Sequence, residues 1–334
     1  MKNNKEVKLD NEQVCSDAAI VGVDLAKASF KASLNGSVRS FANNEKGIEQ
    51  MLSWAKAKSK QENLLVAYES TGTVSRPFTM QLIERDTAWV CLFPPALKAF
   101  ARSIGKQVKT DKQDARIIEE YAGNLRSLGR LRTNTYVTRT ILILREIEST
   151  VDFIKRQIKT VKNSLQAEKL LQENAETLET ILSTLEQQKE QTIERSMRII
   201  KADEKLYERY KLYLREPGVG KEVARCLVVS MPELGHCRGS QIAALVGISP
   251  VERSSGKMDA ERHIHGGRVQ VRNMFYAATV SIYRCKDCEA KRFLERMLRA
   301  GKPTRVALIA TAHKILRILN AKAWKQMQGI PIIE

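Results

Sequence analysis

The chain has 334 residues, with 56 Lys and Arg against 38 Asp and Glu, for a net charge of +18. Its hydrophobic share of 43% suffices for a sizeable core, which excludes global disorder. At roughly 150 residues per domain the length predicts about two domains. No apolar run reaches the ~18 residues of a membrane span. The polar start MKNNKEVKLDNEQ has no apolar leader core, and six cysteines are scattered along the chain. These features predict a cytoplasmic, nucleoid-associated protein with reduced thiols and no membrane partner. The excess of positive charge points to a polyanion, and nucleic acid comes first.

Residues 1–17 read as a flexible polar tail. Ala18–Ala26 is a short apolar run, β-branched in its middle, and predicts a buried strand. Two further strands, Ser29–Leu34 and Ser37–Phe41, flank Asn35-Gly36, a strong hairpin signal. A helix over Glu45–Lys58, a strand over Asn63–Glu69, a helix over Pro77–Arg85 and a strand over Ala88–Phe93 follow. Helices over Pro95–Ser103 and Asp111–Leu128 complete the series. The order β-β-β-α-β-α-β-α is that of the ribonuclease H-like fold, shared in part by other mixed α/β sheets.

From Leu131 to Glu216 there are 86 residues with no Gly and no Pro. One unbroken helix of that length would span roughly 130 Å, so two antiparallel helices with a polar break near Glu173-Asn174 are expected. Ile147, Val151, Ile154, Ile158, Val161 and Leu165 follow in steps of three and four, which is coiled-coil spacing. Pro217 ends the region. Gly218 and Gly220, just before a helix opening at Lys221, leave backbone N–H groups open to an anion. This is the pattern of a helix-hairpin-helix element, which holds DNA phosphates without reading bases. A helix over Gln241–Val246 and an amphipathic helix over Val306–Ala323 follow. Cys285 and Cys288 have metal-ligand spacing, but a zinc site needs four ligands, and His263 and His265 stand at the wrong distance along the chain. They read as ordinary thiols.

Four carboxylates carry the chemistry. Asp24 lies in the middle or at the end of the first, apolar strand, where an acid is costly to bury without a function. Glu69 closes the fourth strand, and Asp111 and Asp114 share one face of a helix start. Acids at a first helical turn also serve as caps. In a sheet-and-helix domain these segments can converge at one sheet edge, where the acids repel and need a cation between them. Mg²⁺ suits such hard oxygen ligands, with Mn²⁺ as its substitute. Two ions about 4 Å apart would activate a nucleophile and stabilise a leaving oxygen in phosphodiester chemistry. Lys98, Arg102, Lys106, Lys109, Lys112 and Arg116 surround the last pair and are expected to meet phosphate.

Val-Gly-Val-Asp24-Leu-Ala-Lys27, Tyr-Glu69-Ser-Thr-Gly72 and Lys109-Thr-Asp111-Lys-Gln-Asp114-Ala-Arg116 together resemble the signature of the DEDD transposases. This insertion-sequence family includes the Piv-type DNA invertases and the bridge-RNA-guided recombinases. The resemblance continues through Pro217-Gly218-Val-Gly220, Gly247-Ile-Ser-Pro250, Gly266-Gly267-Arg268-Val-Gln-Val-Arg272 and Gly301-Lys302-Pro303-Thr-Arg-Val306 to Lys314–Asn320, covering about residues 18–322. It implies a RuvC-like catalytic domain over 18–130, a helical coiled-coil region over 131–216, and a mostly α transposase domain over 217–334.

The resemblance also implies a serine nucleophile at Ser255, with Ser254 its neighbour and rival. A serine followed by Gly256 in a polar loop is expected to be exposed. Attack on a DNA phosphate would leave a 5′-phosphoserine and a free 3′-hydroxyl. His263, His265, Arg268 and Arg272 are expected near Ser255, meeting phosphate. Further implied are DNA substrates at element ends and target, a noncoding bridge RNA, and a homo-oligomer, a tetramer built from dimers. The alternatives are a Piv-type invertase, a Holliday-junction nuclease using the acids alone, and a noncatalytic nucleic-acid-binding scaffold.

Overall fold

The computed structural model describes residues 17–70, 72, 74–105, 111–134, 136–166, 172–255, 258–264, 266–285 and 287–331, and only the backbone of 111, 112, 251–255 and 258–262. The tail expected over 1–17 lies outside the described residues, apart from Asp17. The chain divides into two compact units, the first ending at Leu142 and the second beginning at Ile143.

The first unit runs β1 (Ala19–Leu25), β2 (Ser29–Leu34), β3 (Ser37–Ala42), α1 (Glu45–Ser59), β4 (Leu64–Glu69), α2 (Ser75–Glu84), β5 (Ala88–Leu92), α3 (Pro94–Ser103) and α4 (Asp111–Ser127). The sequence order of elements holds, with ends moved by one or two residues. Its sheet has the order β3-β2-β1-β4-β5, antiparallel through β1 and parallel from β1 to β5. Asn35 and Gly36 both take positive φ, 48° and 72°, as a two-residue hairpin between twisted strands requires. β4 is apolar from Leu64 to Tyr68, all buried, because helices cover both faces of a parallel strand. On one face Phe30 meets Phe78 edge-on at 5.2 Å and Tyr68 stacks on Trp89 at 5.9 Å. On the other, Ile20, Leu65, Ala67, Val90 and Leu92 pack with Ile117, Ile118 and Ala122 of α4.

α5 (Arg139–Leu165) opens in the first unit and continues into the second. There follow α6 (Gln172–Ala202), α7 (Glu204–Leu214), α8 (Lys221–Ser230), α9 (Gly239–Val246), β6 (Pro250–Ser255), β7 (Met258–Ile264), α10 (Val269–Ser281), α11 (Glu289–Arg299) and α12 (Thr304–Met327). α5 and α6 are antiparallel: Lys162 meets Glu186 at 2.8 Å and Ser196 donates to Glu148 at 3.2 Å. α6 already begins at Gln172, so Glu173 and Asn174 lie in its first turn rather than in a break. The Gly- and Pro-free stretch holds three helices instead of two, because Asp203 stops one and caps the next, accepting from the Leu206 N–H at 3.1 Å. On α5, Ile147, Val151 and Ile154 are buried, whereas Ile158, Val161 and Leu165 are half-buried. α12 carries the core of this unit, burying Leu308, Ile315, Leu316 and Leu319. A β6–β7 ribbon stands where a polar loop was expected, so Ser255 is the last residue of a strand. Neither strand alternates cleanly between apolar and polar residues, which hid the ribbon from periodicity.

Candidate active site at the carboxyl edge of the sheet

β1 and β4 run parallel with Val23 opposite Tyr68. The next residues, Asp24, last but one in β1, and Glu69, last in β4, therefore lie side by side at the carboxyl edge of the sheet, the place where open α/β sheets bind ligands. Both are half-buried. Asp24 lies two residues beyond Gly22, and Glu69 two beyond Ala67; both positions belong to the face that α4 covers.

α4 runs antiparallel to β1. Arg126 near its end donates to the Ala18 carbonyl at 2.7 Å, just ahead of β1. Ala115 and Glu119 cross Gly22 so closely that a Cβ there would stand 2.4 Å from the Ala115 oxygen and the Glu119 nitrogen. The first turn of α4, with Asp111 and Asp114, thus reaches the edge where Asp24 and Glu69 end. Glu119 fixes this placement, accepting from Ser33 Oγ at 2.5 Å and from the Asn35 N–H at 2.6 Å.

Asp114 is half-buried, and the Asp111 side chain lies outside the described atoms. Gln113 Oε1 is buried with no hydrogen-bond partner among the described residues. Among those residues no three His, Cys, Asp or Glu side chains stand close enough to hold a metal ion. The fold therefore gathers the four acidic positions at one edge without showing a closed ligand cluster.

α3 starts directly after β5, whose Leu92 pairs with Glu69, and carries exposed Lys98 and Arg102. Lys106 and Lys109 lie outside the described residues, as does the side chain of Lys112. Arg116 lines a groove of about 600 Å³ with Asn35, Glu120 and Arg126, which extends toward the start of β1.

In the second unit Ser254 pairs with Asp259 and Ser255 with Met258; their side chains lie outside the described atoms. His263 is exposed, and His265 lies outside the description. Arg268 grips buried Glu233 through both guanidinium nitrogens, at 2.5 and 2.7 Å, and donates to the Ser230 carbonyl at 2.5 Å. Arg272 donates to the carbonyls of Gly266 at 2.5 Å and Gly247 at 3.2 Å. Both arginines thus tie loops of their own unit together. Gly218 has φ 84° and packs on Ile282, where a Cβ would come within 2.8 Å. Gly220 starts α8 with open space around it and no side-chain cap, and Lys221 beside it is exposed. Cys285 and Cys288 are half-buried free thiols.

Two contributors had no motif to mark them. Glu119 is readable only as an acid on the sheet-facing side of α4, in line with Ala115 and Ala122. Gln113 is readable only by its place between two acids. Burial also acts on groups away from the edge. It pushes the Glu148 carboxyl up, against the opposing pull of Arg225, and it holds His236 and His313 below the ordinary histidine value.

A five-stranded mixed sheet with acids at its carboxyl edge, followed by a mostly helical unit, is consistent with an RNase H-like transposase. The IS110-type DEDD transposase family model matches residues 21–193, and the IS116/IS110/IS902 transposase family model matches residues 211–295. The chain belongs to this family of DEDD transposases, and its activity is DNA recombination. It is similar to the pilin gene-inverting protein of Moraxella bovis, at 23% identity over 310 residues, 90% of this chain and 94% of that protein. The pilin gene-inverting protein of Moraxella lacunata is 22% identical over the same shares. Among the described residues no helix is long and apolar enough to cross a membrane.

Proposed function

We propose that the chain moves an insertion sequence by Mg²⁺-dependent strand exchange through a serine–DNA link. The observation that carries this is the gathering of Asp24, Glu69 and the first turn of α4 at one sheet edge. Asp24, Glu69, Asp111 and Asp114 would hold the ion; carboxylate oxygens fit Mg²⁺ or Mn²⁺, and in the same helix turn the Gln113 oxygen is buried without a partner among the described residues. When bound, the ion polarises the scissile phosphate. Ser255 Oγ forms the new bond to phosphorus and gives up its proton to solvent. The bond from phosphorus to the 3′-oxygen breaks, and that oxygen leaves as a hydroxyl. Gly218, Gly220 and Lys221 at the start of α8, in a helix-hairpin-helix arrangement, and Lys109 and Arg116 in the first unit bind phosphates. Arg268 and Arg272 hold the chain that follows β7 and turn their remaining N–H donors to phosphate.

A noncoding bridge RNA selects the DNA in this reading, so the protein needs mainly backbone contacts, which its charge supplies. The acids belong to the first unit and Ser255 to the second, so the reaction requires both on one phosphate, as a tetramer built from dimers would provide. The half-buried stripe of Ile158, Val161 and Leu165 on α5, with Leu178, Leu182 and Leu185 on α6, supports a coiled-coil contact between copies. The domains in this reading remain 18–130, 131–216 and 217–334. A second reading, inversion of a fixed DNA segment, is favoured by the printed name of both relatives.

Cleavage of the chain's native flanking DNA tests the acids. Asp24→Asn and Glu69→Gln should each lower cleavage by about 10³-fold while duplex DNA binding persists. Cleavage surviving both substitutions, or surviving chelation of divalent ions, would contradict the proposal. Products separate the two readings: an inverted segment means the invertase, an inserted element means the transposase.

A further inference from the structure

From Arg296 to Ile333 the chain contains no Asp or Glu. Its first part is the turn between α11 and α12, where every residue from Arg299 to Val306 is exposed. The turn is rigid. The Lys302 N–H bonds the Met297 carbonyl at 3.2 Å and the Gly301 N–H bonds the Leu298 carbonyl at 2.9 Å, with Gly301 at φ 74°. These two bonds close a Schellman cap. Pro303 then fixes the entry to α12.

Arg299, Lys302 and Arg305 stand on this turn and pair with no acid among the described residues. Arg296, one turn back along α11, lies over the Phe293 ring at 5.2 Å. The neighbouring charges are used inside the fold: Arg292 meets Asp287 and Lys314 meets Glu289, at 2.9 and 2.8 Å. Arg305 sits in the first turn of a helix that has no acid there, although helix starts favour negative charge. Arg305 in particular opposes the stability of its own helix, so these cations serve something outside the unit.

We infer that the α11–α12 turn is a docking surface for the phosphate backbone of duplex DNA. This rests on the reading of the chain as a DNA recombinase. A duplex carries one negative charge per ~1.7 Å of axis, and three exposed cations on a hydrogen-bonded turn complement it without reading bases. Its residues are none of those placed at the carboxylate edge or at the start of α8.

The test uses the full-length protein, the triple variant Arg299→Ala/Lys302→Ala/Arg305→Ala, and a fluorescent 30-base-pair duplex of arbitrary sequence. Affinity is followed from low to high salt. The variant should bind more weakly by about 10- to 100-fold, and its slope of log affinity against log salt should fall by about three, roughly one per lost contact. Thermal unfolding should not fall, since the three side chains are exposed and Arg305 opposes its own helix. An unchanged slope and affinity, with the wild type binding well, would overturn the proposal. Weakened binding of single-stranded RNA with duplex binding intact would overturn it too and assign the turn to RNA. A wild type that neither binds nor cleaves DNA would instead sink the recombinase reading beneath it.

Discussion

Gly22 shows how one residue sets the site. It lies under α4 where a Cβ would strike helix backbone at 2.4 Å, and backbone cannot yield as a side-chain tip can. Gly22→Ala should cost about 1–3 kcal/mol, an ordinary overpacking penalty. It should also slow DNA cleavage more than it weakens DNA binding, because the displaced turn carries Asp111 and Asp114. Urea unfolding and a cleavage time course check both; full cleavage in a destabilised variant would refute the link. Asp24 was legible in the sequence because an acid within an apolar strand has a physical cost. The approach of Ala115 and Glu119 to Gly22 was not, since it is a contact across some 95 residues that only packing decides. The same holds for Arg268: the resemblance suggested phosphate, and nothing local revealed Glu233, 35 residues away, as the partner of its guanidinium.

Among elements, the first unit was readable because its periodicities switch sharply. Asn35-Gly36 fixes the hairpin, and the apolar run Leu64–Tyr68 of β4 announces a strand covered on both faces. The helical region was readable in kind but not in its breaks, for Asp203 ends one helix and caps the next by a contact spanning only three residues. Four of these helices are joined through a buried ion pair. Glu148 of α5 meets Arg225 of α8, which is 2% exposed, with Ser196 of α6 donating to the same carboxylate and Asp152 of α5, close to the pair, held by Gln270 of α10 at 2.7 Å. Removing one partner strands a buried charge. Arg225→Ala should therefore cost about 3–5 kcal/mol, whereas Arg225→Met with Glu148→Leu should recover most of it. Urea midpoints decide; a single variant within about 1 kcal/mol of wild type would show that the pair does not join these helices.

At the scale of the molecule, charge and pH act together. His236 and His313 are held below the ordinary histidine value of about 6.5, by burial first and by Arg209 and Arg317 second. A lowered folded value means that the unfolded chain binds more protons just below pH 6.5. Stability should therefore rise with pH through that window and fall as the solution is acidified. Glu148, pushed up by burial, acts in the opposite sense at lower pH. Unfolding midpoints at pH 7.5 and 6.0 should differ in the wild type and converge in His236→Gln/His313→Gln; a difference that survives in the double variant would assign the effect elsewhere.

The covalent link tests the account most directly. The protein is expressed beside its native flanking DNA, the extract is denatured, and DNA remaining attached to protein is measured. The account predicts an adduct in the wild type, none in Ser255→Ala, and none in Asp24→Asn. Free cleaved ends that persist in Ser255→Ala and vanish in Asp24→Asn would contradict it, because the acids would then cut DNA alone.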